Sequence, residues 1–273
     1  MISANGEDAE KIMKNFSTCI NGATFWAIGF ASVKSDVLIA DTGINPGHEF
    51  ADTFCTRIVG PEKLKTAAAE SFYRYLKQHN ALCGNRLHPA ALIPAACAFI
   101  LEHKINTLLN ATMIDDSVNK MDNSHQITLM TSGGVRKLSA GCVIDTLIPA
   151  GNIRYKEFNA ILHGVSHETI PEKWLNADEK DRMTPFISPG RFRSEAVLHF
   201  PCPADMDYIE ARFELEKFWR ARPAEIAEWK IALMAREFFE ITGKTPTPGH
   251  EYFSKNFGDP LSALDAGAME AMR

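Results

Sequence analysis

The sequence predicts an α/β fold: a parallel β-sheet with a β-meander, followed by a mainly helical region after residue 150. Three patterns predict it. Residues 22–34 are small and apolar, as in a buried helix, and the apolar run 36–41 lacks alternation, as expected for a parallel strand covered on both faces. Residues 105–145 alternate between apolar and polar in short stretches separated by turn residues, which is typical of antiparallel strands. Residues 205–241 carry apolar side chains at helical spacing.

The first predicted elements make half of a βαβ unit. Residues 16–20 are the segment that must supply the strand before the helix at 22–34, although this stretch is short and not very apolar. The strand at 36–41 follows the helix, and the loop residues 42–47 close it with threonine, glycine, asparagine and proline. A parallel sheet is therefore expected to begin here.

Two further helices are predicted to begin at prolines. Pro61 can open a helix because its missing N–H costs nothing at the first helical position, and Pro89 opens the next helix in the same way. Pro94 lies one turn inside that second helix and is expected to kink it. The predicted core-facing residues are Leu64, Ala68, Phe72, Tyr75 and Leu76 in the first helix and Leu92, Ala96, Phe99 and Ile100 in the second.

The segment after these helices is predicted to be a meander. Residues 105–114 are strand-like, residues 126–130 alternate, and a Ser-Gly-Gly turn at 132–134 leads into a returning strand at 135–144. That last strand ends in the apolar sequence Cys-Val-Ile-Asp.

The composition changes near residue 150, which predicts two domains. Residues 1–150 would hold the parallel sheet, and residues 151–273 would form a mainly helical region on the side of a substrate or a partner. Within the second domain, residues 151–204 are rich in proline and glycine and are predicted to be loops, whereas residues 205–241 are predicted to form two helices broken at Pro223.

Composition excludes several classes of function. The chain has 273 residues and a formal net charge of −5, and neither half is basic, so a nucleic-acid partner or a polybasic membrane surface is not expected. No apolar run is long enough to predict a membrane span, and the acidic start of the chain is unlike a signal peptide. The cysteines are scattered, as in a reduced cytoplasmic protein; they are Cys19, Cys55, Cys83, Cys97, Cys142 and Cys202.

Motifs for metal or nucleophilic chemistry are weak. His163 and His167 form an H-x-x-x-H pair, but Gly164 lies between them and no H-E-x-x-H pattern is present, so no metal site is predicted. The chain has no G-x-S-x-G elbow, so no serine of the α/β-hydrolase type is predicted. The sequence patterns place no catalytic acid, base or nucleophile.

The order of these segments resembles the FAD-dependent oxidoreductases of the glutathione-reductase-like group of flavoproteins. In that family the second strand ends in an acidic residue before a Gly-rich loop, a later strand reaches the adenine, and a meander ends beside the cofactor. Here the matching segments are residues 37–47, 105–113 and the meander that ends at 143–146. The resemblance implies a Rossmann-like parallel sheet and FAD as the cofactor.

The resemblance also implies which residues contact FAD. Asp41 would accept both ribose hydroxyls of the adenosine, and Met113 would offer main-chain contacts to the adenine. The remaining positions would line the path of the nucleotide or the flavin side; they are Thr42, Gly43, Asn45, Gly47, Asp145 and Thr146. The alternative for Asp41 is a solvated carboxylate at a strand end, and the alternative for residues 145–146 is a plain turn.

The sequence departs from the family at the glycine fingerprint G-x-G-x-x-G, which lies about 20 residues before the acidic residue. In the window 18–26, which reads Thr-Cys-Ile-Asn-Gly-Ala-Thr-Phe-Trp, at most one of the three glycines is present in any register. Side chains would then occupy space that the pyrophosphate needs, although the helix N-terminus would still attract an anion. The motif is degenerate.

Two functions follow from the resemblance and its departure. In the first, the chain is an FAD-dependent oxidoreductase, or a subunit of one, and the flavin performs hydride transfer. In the second, it is a non-catalytic relative that keeps the fold and acts as a structural or regulatory partner subunit. Its partner would be a second copy of this chain or another protein chain.

Overall fold

The computed structural model describes residues 14–147, 153–175, 183–242 and 252–273. In chain order, the helices are α1 Phe25–Val33, α2 His48–Ala51, α3 Ala67–Gln78, α4 Leu92–Glu102, α5 Glu172–Leu175, α6 Tyr208–Arg220 and α7 Pro260–Ala271. The strands are β1 Lys14–Asn21, β2 Val37–Asp41, β3 Leu82–Cys83, β4 Arg86–Leu87, β5 Asn106–Leu109, β6 Ala111–Val118, β7 His125–Thr131, β8 Gly134–Asp145, β9 Ile153–Glu157, β10 Ala160–His163, β11 Phe186–Pro189, β12 Glu195–His199, β13 Pro201–Pro203, β14 Lys230–Met234 and β15 Phe239–Thr242.

The main sheet has six strands in the order β5-β2-β1-β8-β7-β6. β5, β2, β1 and β8 are parallel to one another, and β8, β7 and β6 form an antiparallel meander. All five residues of β2 are buried, as a strand covered on both faces requires. The predicted α/β class, with a Rossmann-like parallel sheet and a meander, is confirmed.

Helix α1 follows β1 through a tight turn at Gly22, whose φ is +107°. The helix begins at Phe25 because the Thr24 side chain accepts a hydrogen bond from the Ala27 N–H at 3.3 Å. Six of its nine residues are buried, so α1 lies inside the protein between the sheet and neighbouring helices.

The close packing of α1 against α7 depends on one glycine in each helix. A Cβ at Gly29 would overlap the Leu264 carbonyl oxygen, and a Cβ at Gly267 would overlap the Trp26 carbonyl oxygen. The two backbones therefore approach more closely than any side chain larger than hydrogen allows. This contact joins the segment 260–271 to the first βαβ unit of the chain.

The two proline-initiated helices begin later than predicted. Residues 61–63 and 89–91 form single 3₁₀ turns, and the α-helices start at Ala67 and Leu92. The first delay has a local cause: Thr66 caps α3 by accepting from the Ala69 N–H at 3.2 Å.

The prediction of a mainly helical second region is wrong. Residues 153–242 contain two antiparallel sheets, β13-β9-β15 and β11-β12-β10-β14, and α6 is the one long helix described there. The second predicted helix is replaced by a 3₁₀ turn and by β14 and β15, which pair with β10 and β9. Pairing with strands that are distant in the sequence decides the structure of this segment, although its apolar residues recur at a helical spacing.

The division predicted between residues 150 and 151 lies outside the described residues, as does the acidic start of the chain. Among the described helices, none has the length and apolar character needed to cross a membrane. The six cysteines are unpaired thiols.

Candidate functional site

The carboxyl ends of β1, β2 and β8 meet at the N-terminus of α1. The register places Asn21 beside Ala40 on one side and beside Asp145 on the other. In open α/β sheets, ligands bind outside this edge, and the N–H groups at the start of the helix attract anions. The contacts made by these N–H groups therefore decide what the edge can hold.

The carboxylate of Asp41 is fully buried and is directed at the protein's own backbone. It accepts hydrogen bonds from the Ala23 N–H at 2.5 Å and the Gly43 N–H at 2.6 Å, and the His48 Nε2 lies 3.6 Å away. Burial alone would raise the pKa of Asp41, but the nearby His48 and the two N–H groups outweigh it and lower the pKa. Asp41 is therefore an ionised internal group, not a solvated strand end.

A second buried carboxylate, Glu49, occupies the N-terminus of α1. Its Oε1 accepts from the Phe25 N–H at 2.7 Å and from the Ser254 hydroxyl at 2.9 Å. Burial raises the pKa of Glu49, against the opposing effects of nearby His48 and of these hydrogen bonds. The first residue of the helix thus has an internal acceptor in place of a ligand.

The loop that carries Glu49 lies directly over the start of α1. The Gly47 N–H donates to the Ala23 carbonyl at 2.7 Å, and a Cβ at Gly47 would come within 2.5 Å of the Phe25 ring. Gly47 also has a φ of +72°, which disfavours other residues. This glycine therefore allows the loop to approach the protein's own backbone.

The remaining predicted cofactor contacts fall into two groups. Asp145 joins the end of β8 to the end of β1, since it accepts from the Asn21 amide at 2.7 Å, and Thr146 joins it to the start of α1, since its Oγ1 lies 3.0 Å from Thr24 Oγ1. Thr42 is exposed and Asn45 half-buried in the loop, whereas Met113 packs on the face of the sheet opposite α1. That these residues contact a cofactor remains a prediction.

Sequence patterns missed the ionic network beside Asp41. His48 Nδ1 lies 3.1 Å from Glu237 Oε1, and Lys255 Nζ lies 3.6 Å from Glu237 Oε2 and 3.0 Å from Glu240 Oε2. Burial would lower the pKa of His48, but Asp41 and Glu237 outweigh it and raise this pKa to about 10. No motif signals the network, because its members come from residues 41, 48, 237, 240 and 255.

His48 should make the stability of the protein depend on pH. Because its pKa rises from an ordinary 6.5 to about 10 on folding, its contribution is full below pH 6.5 and is lost as the pH rises through about 10. We expect the difference in free energy of unfolding between the wild type and His48→Gln to shrink over that range. Urea unfolding at several pH values measures it. The exposed His79→Gln variant is the control, and a difference that stays constant would contradict the assignment.

His48, Asp52 and Glu237 offer metal-ligand atoms that lie within 4.8 Å of one another. In the present arrangement, however, the Glu237 oxygens are already engaged by His48 Nδ1 and Lys255 Nζ. His48 and Glu237 are thus engaged in an ion-pair network.

No protein-family model matches this chain, and no curated protein matches it. Solved structures do match. L-proline dehydrogenase from P. horikoshii superposes with a TM-score of 0.56 at 11% identity, covering 95% of this chain and 93% of that one. A flavoprotein/dehydrogenase from Cytophaga hutchinsonii gives 0.54 at 9% identity, covering 95% and 77%. BexE, studied for oxidation during BE-7585A biosynthesis, gives 0.54 at 13%, covering 94% of this chain, which spans 60% of the BexE chain.

These similarities establish the fold as that of flavoproteins. The matching structures also include p-nitrophenol 4-monooxygenase from Pseudomonas putida DLL-E4, with a TM-score of 0.52, so the resemblance extends over several kinds of oxidoreductase and does not single out the glutathione-reductase-like group. FAD as the expected kind of cofactor is supported by this fold. Identities of 9–13% carry no residue-level assignment.

The α1 edge, as folded here, does not fit a dinucleotide in the usual place. A pyrophosphate at this edge would need the N–H groups at the start of α1. The N–H groups of Ala23 and Phe25 already donate to the carboxylates of Asp41 and Glu49. Both oxygens of Asp41 already accept a backbone N–H where a ribose hydroxyl would otherwise bind.

Proposed function

We propose that this chain is a flavoprotein-fold protein that performs no flavin chemistry at α1 and acts as a structural or regulatory partner subunit. The observation that carries the proposal is the internal occupation of the α1 N-terminus by Asp41 and Glu49. A carboxylate that satisfies a buried N–H is costly to displace, because both groups would lose their partners.

Exposed apolar side chains support a protein partner. On α6, Ile209 and Phe213 are 64% and 65% exposed and lie one helical turn apart, so they share a face. β14 is an edge strand of its sheet and exposes Leu233, and unpaired strand edges can pair with another chain. The proposed partner is a second copy of this chain or a different protein. The net charge of −5 argues against nucleic acid, and a cytoplasmic location remains a proposal.

The second candidate is an FAD-dependent oxidoreductase, of the glutathione-reductase-like group or another. The observation in its favour is the overall likeness to a dehydrogenase across 95% of this chain. It requires both the Asp41 carboxylate and the loop 42–50, which carries Glu49, to leave the start of α1, so that the N–H groups of Ala23 and Phe25 become available.

The absorbance spectrum of freshly purified protein and thermal unfolding with added FAD separate the two candidates. A ligand that binds only the folded state must raise the melting temperature. Because we propose that FAD does not bind, we expect no flavin bands and no such rise at FAD concentrations up to the millimolar range. Flavin bands, or an FAD-dependent rise in the melting temperature, would overturn the proposal and favour the oxidoreductase.

A further inference from the structure

A polar cluster away from α1 joins three strands of the second region. Ser188, on β11, has its Oγ 2.8 Å from Nε2 of His199, on β12. The other ring nitrogen of His199, Nδ1, lies 3.2 Å from Oε2 of Glu157, on β9. His199 and Glu157 are each 2% exposed, whereas Ser188 is half-buried and is thus the most accessible of the three.

The charge of Glu157 fixes the tautomer of His199. Burial alone would raise the pKa of Glu157, but the hydrogen bond from His199 and the charge of Arg57, whose Nη2 lies 3.2 Å from Oε1, outweigh it and lower this pKa. Glu157 is therefore a carboxylate and accepts the proton on His199 Nδ1. With the Nδ1 proton directed at Glu157, Nε2 is the ring nitrogen that faces Ser188, and in the neutral imidazole its lone pair accepts the Ser188 hydroxyl proton.

Neighbouring side chains hold this arrangement in place. The Phe186 ring stacks on His199 with centroids 4.3 Å apart and an interplanar angle of 5°. β11 and β12 pair in a register that places Phe186 opposite His199. The Thr56 hydroxyl lies 3.1 Å from Ser188 Oγ and orients it from the other side. The three groups are thus positioned by packing and strand pairing together.

We propose that Ser188, His199 and Glu157 form a nucleophilic site that hydrolyses carboxylic esters. A serine whose hydroxyl contacts a histidine, itself oriented by a carboxylate through its other nitrogen, is the arrangement that activates serine for acyl transfer. Such sites are recognised by geometry on unrelated folds, so the lack of a G-x-S-x-G sequence does not count against this one.

The reaction balances with water as the co-reactant. Ser188 Oγ bonds to the ester carbonyl carbon as its proton passes to His199 Nε2. The bond from that carbon to the leaving oxygen breaks, and His199 returns the proton to the alcohol. Water then attacks the acylated serine, giving its proton to His199, and the carboxylic acid leaves as Ser188 recovers its hydroxyl.

Covalent labelling tests the proposal. The full-length protein is treated with a fluorophosphonate, and the modified residue is located by peptide mass spectrometry; hydrolysis of p-nitrophenyl acetate is measured in parallel. We expect labelling at Ser188, its loss in Ser188→Ala, and an ester turnover lower by about 10²-fold or more in that variant. Glu157→Gln should lower turnover and labelling rate while Ser188 is still present.

Controls make each outcome decisive. Ser166→Ala, which alters an exposed serine, should label and turn over as the wild type does. Circular dichroism verifies that both Ser188→Ala and Glu157→Gln are folded. This check matters most for Glu157→Gln, because that change can disturb the buried pair with His199. A folded wild type that is not labelled at Ser188, or equal turnover in Ser188→Ala, would overturn the proposal and leave the cluster a structural one. These measurements do not involve FAD, so they fail or succeed independently of the partner role.

Discussion

Asp41→Ala is expected to lose about 3–5 kcal/mol of unfolding free energy, the amount typical of removing one partner from a buried ion pair. The methyl group leaves the N–H groups of Ala23 and Gly43 without their acceptor and leaves His48 charged beside a void. A loss of this size is a large part of the total stability of an ordinary domain. Chemical denaturation followed by circular dichroism measures it.

One further variant separates the charge of Asp41 from its hydrogen bonds, and a second serves as a surface control. Asp41→Asn keeps the shape and one acceptor oxygen, so we expect a smaller loss than for alanine. Asp115→Ala removes an exposed carboxylate on β6 and should change stability by less than about 0.5 kcal/mol. If Asp41→Ala is as stable as Asp115→Ala, the internal role assigned to Asp41 is wrong.

Gly267→Ala is expected to be the second severely destabilising change. The added methyl group would overlap the Trp26 carbonyl oxygen, a backbone atom that cannot rotate away, so α7 must shift from α1. Overpacking of this kind costs about 1–3 kcal/mol and sometimes more. Thermal unfolding of the variant measures the loss.

Two further glycine variants test whether the cause is this helix contact. Gly133→Ala adds a methyl group whose nearest neighbour is 3.8 Å away, and it should be close to neutral. Gly29→Ala should destabilise as Gly267→Ala does, and the double variant should lose less than the sum, because the first methyl group already separates the helices. Additive losses would mean that the two glycines act separately.

The sequence predicts the first βαβ unit well because local signals agree there. The apolar run of β2 predicts full burial, and Thr24 caps α1 just inside the predicted helical segment. The meander is likewise predicted from its own alternation and turn. In these segments, propensity, pattern and tertiary contact favour the same structure.

The region after residue 150 is predicted poorly because its strands are decided by distant partners. The apolar residues around β14 recur at a spacing that also suits a helix, and only pairing with β10 makes them a strand. Three of the prolines that suggest loops, Pro189, Pro201 and Pro203, instead lie at the ends of β11 and β13.

The candidate sites show the same limit. Glu49 reaches Phe25 across 24 residues, and Glu157, Ser188 and His199 come from three strands. No spacing rule brings either set together. Asp41 is the exception, since its place at the end of β2 is visible in the sequence, but the direction of its carboxylate is not.

The contact between α1 and α7 also bears on the order of events during synthesis. Ribosomes make α1 more than 200 residues before the helix that covers it, since α7 begins at Pro260. Until then the apolar surface around Trp26 is exposed on the emerging chain. Exposed apolar surface of this kind makes a partly folded chain prone to aggregation and is what chaperones recognise. A chain stalled before that helix is made would therefore be a substrate for degradation, however well its first strands had formed.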